Sequence, residues 1–196
     1  MINSEDSFAP LTARRTFQVA IGDNATILVG LPLIGLLGSS AGPEVHIPMS
    51  MSDPEAAAAQ LEGGEIDLPI DAQSVIPDGA EMRILLTQPF VMGQRKEHPR
   101  GTGPLDLATC LGLRHVVASP LRGPLHGYMG DCLDQLGYQR NIALSVRQFG
   151  MVSAVRDKSD SVSTLPTGQL AGFADRLNMF ALPSDAPPFA RAMPQS

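Results

Sequence analysis

The chain has 196 residues, of which 43% are hydrophobic and 17% are charged, and its formal net charge is −6. This length allows one domain or two small lobes that bury about 70% of the unfolded surface. The composition excludes a disordered chain, and the scattered basic residues with a net negative charge argue against nucleic-acid binding by this chain alone.

The first half alternates between strand-like and helix-like segments, punctuated by glycine and proline. A strand is predicted at 16–22 (TFQVAIG), a helix at 25–37, a strand at 45–50, a helix at 55–62 and a strand at 66–70. This β-α-β-α-β order predicts a parallel sheet with helices packed on it, because parallel strands need crossover connections.

One carboxylate stands inside the last of these strands, in the stretch LEGGEIDL at 61–68. Gly63 and Gly64 are expected to end the preceding helix. Asp67 is expected to accept hydrogen bonds from nearby backbone or from a basic residue, since buried carboxylates need partners.

The second half restarts the alternation after an extended apolar segment at 82–92 and a polar loop at 94–104. The predicted strands are 115–119, 142–146, 161–165 and 179–182, and the predicted helices are 127–136, 150–156 and 169–177. Two such series predict two lobes. In open α/β sheets ligands bind outside the carboxyl ends of the strands, so a cleft between the lobes is expected to hold a ligand.

Targeting and redox signals point to the cytoplasm. The apolar stretch 25–37 is judged too short and too interrupted for a membrane span, and the polar start lacks the features of a signal peptide. Cys110 and Cys132 are expected to be reduced thiols in the core.

Four segments carry a family likeness: 12–23 (TARRTFQVAIGD), 61–68, His98-Pro99 and 181–189 (ALPSDAPPF). Together they resemble the effector-binding domain of LysR-type transcriptional regulators, in particular the subgroup of nodulation and toxin-gene regulators. The likeness extends over about residues 8–189.

The resemblance implies an α/β fold of the type 2 periplasmic-binding-protein class, with two lobes around a central cleft and two crossing strands between them. Lobe one is expected to comprise 8–88 plus 181–196, and lobe two 89–180. The resemblance also implies a small-molecule coinducer, a homodimer or tetramer, and promoter DNA bound through a winged helix-turn-helix domain. That domain is expected to be absent from this chain, and the 190–196 tail is shorter than the strand and helix that usually close such domains.

Effector contacts are expected in the loops after the strands, several of which lead into helix N-termini that favour anions. The expected effector is an aromatic or carboxylate metabolite. The candidate residues are Asn24, Thr26, Ser50, Asp71, Ser119, Arg122, Arg147, Phe149 and Thr167.

Several of these candidates have a plain structural alternative. Arg122 and Arg147 suit an anionic effector, or are simply solvated. Phe149 is expected either to stack on a ligand or to belong to the core, and Thr26 and Ser119 are alternatively helix caps.

No metal or cofactor is expected, because the four histidines are scattered and no two are four residues apart. The G-x-S-x-G match at 38–42 follows a helix and precedes a strand, the reverse of a hydrolase elbow, so a serine hydrolase is disfavoured. An enzyme of any kind is disfavoured because the candidate loops supply no set of nucleophile, base and orienting residue. The main alternative is a solute-binding protein of a transporter, against which the missing export signal argues.

Overall fold

The computed structural model describes residues 8–72, 81–118, 130, 133–134 and 136–183. They form two compact units that divide between Met82 and Arg83. Each unit has its own sheets, in keeping with the two predicted β/α series. The lobe limits and the cleft expected from the sequence remain predictions.

The first unit is built on a parallel three-stranded sheet. The five strands of the first unit are β1 (Arg15–Thr16), β2 (Val19–Ile21), β3 (Val45–His46), β4 (Met49–Met51) and β5 (Leu68–Ile70). The fully buried β2 lies between β4 and β5 and is parallel to both, while β1 and β3 form a separate parallel pair. The predicted parallel sheet is confirmed.

Two of the predicted strands are each divided into two short strands. Between β3 and β4 stands Pro48, which has no N–H to donate to a ladder, although its carbonyl accepts from Val19 at 3.1 Å. Between β1 and β2, the Gln18 N–H donates to Asp67 Oδ2 at 2.7 Å. Asp67 also lies 3.7 Å from an Arg15 guanidinium nitrogen. This carboxylate is therefore partnered as expected, although its side chain is exposed.

A continuous helical segment follows β2 and is longer than the sequence predicted. It comprises α1 (Asp23–Ala25), a π-helical turn (Thr26–Gly30) and α2 (Leu31–Ser40). The π turn closes with the Leu31 N–H donating to the Thr26 carbonyl, directly before Pro32. In a regular α-helix the proline ring would clash with the carbonyl four residues earlier, so the wider turn accommodates it.

The C-terminal part of this helical segment, α2, is largely apolar and exposed. No residue of α2 is buried, and Leu31, Ile34 and Leu36 are 59%, 56% and 62% exposed. Asp23 to Ser40 forms 18 helical residues that are apolar enough to cross a membrane by length and composition alone. The sequence estimate of its length was therefore too short. One such helix is weak evidence for a membrane span, because core helices and signal sequences meet the same criterion.

The third helix of the first unit, α3 (Ala57–Glu62), begins two residues later than predicted. Before it, Asp53 Oδ1 accepts a hydrogen bond from the Glu55 N–H at 3.1 Å, so the first residues form a turn. Gly64 has φ +70° and ends the helix as predicted, since this left-handed conformation favours glycine.

The second unit contains five strands and three described helices. The strands are β6 (Phe90–Arg95), β7 (Arg114–Ala118), β8 (Asn141–Val146), β9 (Ser163–Pro166) and β10 (Leu177–Ala181), and the helices are α4 (Leu107–Gly112), α5 (Phe149–Asp157) and α6 (Thr167–Ala171). β6 is the central strand of the antiparallel order β10-β6-β9, and β7 pairs with β8 in parallel. A single bridge from His115 to Val162 links the two sheets.

The second unit departs from the predicted pattern in three places. The long helix expected at 169–177 is the short α6, which ends at Ala171, and β10 begins earlier than predicted, at Leu177. The extended segment 82–92 forms a strand only from Phe90 onward. The helix predicted at 127–136 lies mostly outside the described residues.

The core of this unit lies on both faces of its sheets. One cluster contains Val116, Val146, Val152, Leu165, Leu170 and Leu177. The other contains Met92, Cys110 and Val162. Cys110 is a buried free thiol as predicted, and burial raises its pKa to about 11. Cys132 lies outside the described residues.

His98, from the His-Pro pair that contributes to the family likeness, is buried in the second unit. Its Nε2 lies 3.0 Å from the Asp160 carbonyl oxygen, and its Nδ1 accepts from the Arg100 N–H at 3.1 Å. The histidine therefore ties the loop after β6 to the segment before β9.

Candidate functional site

In the first unit, the three parallel strands end side by side and each is followed by an aspartate. The register places Ile21 beside Met51 and Ile70, at the ends of β2, β4 and β5. The aspartates that follow are Asp23, Asp53 and Asp71. Within the described part of the chain, no group of three or more His, Cys, Asp or Glu residues is arranged to hold a metal ion.

Asp71 lies directly against the residue that precedes the first helix. A Cβ atom on Gly22 would lie 2.7 Å from Asp71 Cγ and 2.9 Å from Oδ2, so a larger residue there would require the Asp71 side chain to move. Asp71 Oδ1 accepts a hydrogen bond from the Ala72 N–H at 2.8 Å. The half-buried carboxylate is thereby held beside Gly22, which is the N-cap residue of α1.

The other first-unit candidates lie at or near the same edge. Asn24 and Thr26 belong to the helical segment after β2, and both are half-buried. The Thr26 hydroxyl donates to the Gly22 carbonyl at 3.0 Å, which leaves its oxygen able to accept a hydrogen bond. Ser50 is exposed and lies within β4 rather than after it. Asn24, Thr26 and Asp71 are thus brought to one edge.

In the second unit, Arg147 and Phe149 lie at the junction of β8 and α5. Arg147 is exposed and makes no hydrogen bond or ion pair with any other described residue. Phe149 is half-buried and packs against the hydrophobic cluster under α5. Packing in the core therefore explains the position of at least part of the Phe149 ring. The Arg147 guanidinium, in contrast, has five N–H donors, none of which is bonded to another described residue.

Thr167 is used in hydrogen bonds that hold the fold together. Its hydroxyl and its backbone N–H both donate to the Pro89 carbonyl at 2.9 Å, and the Gly168 N–H donates to Gln88 Oε1 at 2.9 Å. These bonds join the start of α6 to the segment before β6. Ser119 and Arg122 lie outside the described residues.

Two ionisable side chains, Arg156 and His115, are buried, and the sequence analysis did not predict their burial. The Arg156 side chain is fully buried, and its Nη1 donates to Ser163 Oγ at 3.1 Å, while Nε and Nη2 have no hydrogen-bond partner among the described residues. Burial lowers the pKa of this guanidinium to about 10. His115 is 1% exposed, with Nε2 2.7 Å from the Cys110 carbonyl oxygen. Their burial depends on strands distant in sequence, so no local signal reveals it.

The G-x-S-x-G match has a structural explanation. Ser40 is the last residue of α2, and Gly42 follows in the turn before β3. The Gly42 N–H donates to the Pro10 carbonyl at 2.9 Å, and a Cβ there would lie 2.9 Å from the Leu11 carbonyl carbon. The second glycine is thus required by close backbone packing, and the serine does not stand on a strand-to-helix elbow.

Comparisons of this chain with known proteins agree on one family. A family model described as the LysR substrate binding domain matches residues 14–193. The chain is 28% identical over 182 residues to the HTH-type transcriptional activator NahR of Pseudomonas putida, covering 93% of this chain and 60% of NahR. It is 28% identical over 167 residues to the HTH-type transcriptional activator NagR of Ralstonia sp., covering 84% of this chain and 54% of NagR.

The fold is also similar to that of solved structures. The crystal structure of the probable transcriptional regulator PA0477 from Pseudomonas aeruginosa matches with a TM-score of 0.80 and 25% identity, covering 92% of this chain and 61% of that one. All three of these relatives are named as regulators of transcription rather than as enzymes or transport proteins. The chain spans little more than half the length of the curated relatives it matches.

Proposed function

Because the chain belongs to the LysR substrate binding domain family, we propose that it senses a small molecule and passes the signal to a DNA-binding domain. The observation that carries this proposal is the family match over residues 14–193, which confirms both the resemblance and the α/β fold class predicted from the sequence. The transporter alternative is not favoured, since the relatives compared above are regulators.

We propose that the effector binds at the carboxyl ends of the strands. In the first unit the candidate contacts are Asn24, Thr26, Ser50 and Asp71. In the second unit they are Arg147, Phe149 and Thr167, together with Ser119 and Arg122 from outside the described residues. Arg147 is the strongest of these for an aromatic or other carboxylate, because it is exposed, has no partner in the part of the chain that the structure describes, and can bind a carboxylate through two parallel hydrogen bonds.

The signal requires that the effector bind one state of the regulator more tightly than another. A ligand shifts a conformational equilibrium only by its difference in affinity for the two states. We propose that this shift changes promoter binding by a winged helix-turn-helix domain in the cytoplasm. The HTH-type names of the relatives support this, as does their length beyond the matched region.

A thermal-shift screen of aromatic acids and other small carboxylates tests the sensing function. A ligand at about 100 times its dissociation constant adds roughly 2.7 kcal/mol to the free energy of unfolding, which is readily measured as a higher Tm. For a hit, Arg147→Gln is expected to weaken binding at least about tenfold, the loss of roughly 1.4 kcal/mol. The matched control is Arg114→Gln. Arg114 is the first residue of β7 and therefore lies at the opposite end of the β7–β8 pair from Arg147. If no carboxylate raises Tm, the sensing proposal is wrong.

We further propose that two copies of the chain associate through α2, as part of a homodimer or tetramer. The supporting observation is that the apolar side chains of α2 are exposed, and that Leu31 and Ile34, three residues apart, lie on one face of the helix. Light scattering after size-exclusion chromatography should show that Ile34→Glu, on the face shared with Leu31, reduces the assembly to monomers. Leu61→Glu, which changes an exposed leucine on α3, should not. A monomeric wild-type chain that binds lipid vesicles would instead support a membrane role for this helix.

A further inference from the structure

The guanidinium of Arg156 is enclosed in the second unit, between the last turn of α5 and the antiparallel sheet. The residue is 0% exposed, and its Nη1 donates to Ser163 Oγ of β9 at 3.1 Å. Gly93 pairs with Ser163 across the sheet, and a Cβ on Gly93 would lie 3.3 Å from Nη1. The Nη1 end of the guanidinium is therefore fixed against β6 and β9.

The two other nitrogens form one edge of the planar group. Nε and Nη2 are both buried, and neither makes a hydrogen bond to any described residue. In a guanidinium the Nε–H bond and one Nη2–H bond are parallel, so they reach one acceptor, or two acceptors side by side. This edge thus presents two buried donors in the geometry that binds an anion.

The positive charge of Arg156 is not balanced by an ion pair. Asp157 raises its pKa electrostatically, but the Asp157 carboxylate lies 3.3 Å from Arg176 Nη1, and Arg176 acts on Arg156 with the opposite sign. Burial lowers the pKa of Arg156 only to about 10, so the guanidinium is still charged at neutral pH. A water molecule would satisfy the two donors but leave this charge uncompensated, whereas an anion does both.

The surroundings of the guanidinium limit the size of an occupant. Ser163 and Leu170 are also 0% exposed, and the Phe173 ring centroid lies 5.9 Å from the guanidinium carbon of Arg156. An occupant must therefore be small enough to lie inside the unit, which disfavours the aromatic acids considered for the effector.

From this geometry we propose that the edge formed by Nε and Nη2 of Arg156 binds a small monovalent anion, such as chloride, inside the second unit. The site is distinct from the proposed effector contact at Arg147, which precedes α5, whereas Arg156 lies about two turns further along that helix. The anion stabilises the second unit, so the inference does not depend on the sensing function.

Thermal unfolding of the whole chain at constant ionic strength tests the site, with sodium chloride replacing sodium gluconate, whose anion is too large to enter. We expect chloride to raise the Tm of the wild type by at least about 2 °C. Arg156→Met keeps the aliphatic part of the side chain and removes the donors, so it should abolish this shift. The stability difference between the two proteins should therefore change as chloride is added.

The matched control is Arg176→Met, which removes an exposed guanidinium that lies 5.3 Å from the centroid of the same Phe173 ring. This variant should keep the chloride shift. A general effect of chloride on solubility or hydration would instead appear equally in all three proteins.

Crystals of the wild-type chain soaked in sodium bromide locate the anion, because bromide resembles chloride and scatters anomalously. We expect an anomalous peak beside Nε and Nη2 of Arg156. The proposal is wrong if chloride does not raise the wild-type Tm, if Arg156→Met keeps the shift, or if no bromide lies at this edge. None of these outcomes affects the proposed effector site, since no organic acid is used.

Discussion

His115 makes the stability of the second unit sensitive to acid. The side chain lies in β7 at 1% exposure, and its Nε2 is 2.7 Å from the Cys110 carbonyl oxygen, while no described residue makes a hydrogen bond to Nδ1. Burial is the main cause that lowers its pKa from 6.5 to about 4, because the charged imidazolium loses its hydration inside the core.

The sign and size of the effect follow from this lowered pKa. Above pH 6.5 the imidazole is neutral in both the folded and the unfolded chain, so it contributes no pH dependence. As the pH falls from 6.5 to about 4, the unfolded chain takes up a proton that folded His115 does not. The free energy of unfolding therefore falls by up to about 1.4 kcal/mol per pH unit, or about 3 kcal/mol over this interval.

Urea unfolding at pH 7, 5.5 and 4 measures this loss. His115→Gln keeps a donor for the Cys110 carbonyl but does not titrate, so its stability should fall by about 3 kcal/mol less than that of the wild type between pH 7 and pH 4. His46→Gln, at an exposed position in β3, is the control and should follow the wild type. If His115→Gln loses as much stability as the wild type, folded His115 accepts its proton at an ordinary pH and the reasoning is refuted.

Four further substitutions test the packing. Arg156→Met should raise the free energy of unfolding, measured in urea titrations, by about 1–3 kcal/mol. Methionine keeps the buried aliphatic part of the side chain and removes Nε and Nη2, two donors without hydrogen-bond partners among the described residues, although the bond to Ser163 is lost. Arg156→Ala should instead lower it by about 2–5 kcal/mol by leaving a cavity, and a loss of similar size in both variants would contradict this account. Gly42→Ala should lower Tm, since its Cβ would collide with the Leu11 backbone. Gly35→Ala should stabilise by about 0.5–1 kcal/mol, because nothing lies within 4 Å of the added methyl and alanine favours the helix; an unchanged or lower Tm would contradict that expectation.

Local patterns were sufficient for the order of the elements in the first unit. The apolar runs around Ile21 and Ile70, the helix between them and the stop at Gly64 all depend on residues close in sequence, and the parallel sheet follows from them. The family likeness added the expectation of two lobes and of an effector. The expectation that Asp67 has a partner was also correct, although the burial from which it was argued was not, because the side chain is exposed.

Tertiary structure alone decided which of the candidate residues remain available to a ligand. The Thr167 hydroxyl is bonded to Pro89, 78 residues away, and the ring of Phe149 packs against a core drawn from several strands. The Asp71 carboxylate lies beside Gly22, which becomes its neighbour only through the pairing of β2 with β5. The physical reason is that burial and hydrogen-bond partners are set by residues distant along the chain, whereas sequence periodicity reports only which face of a segment is apolar.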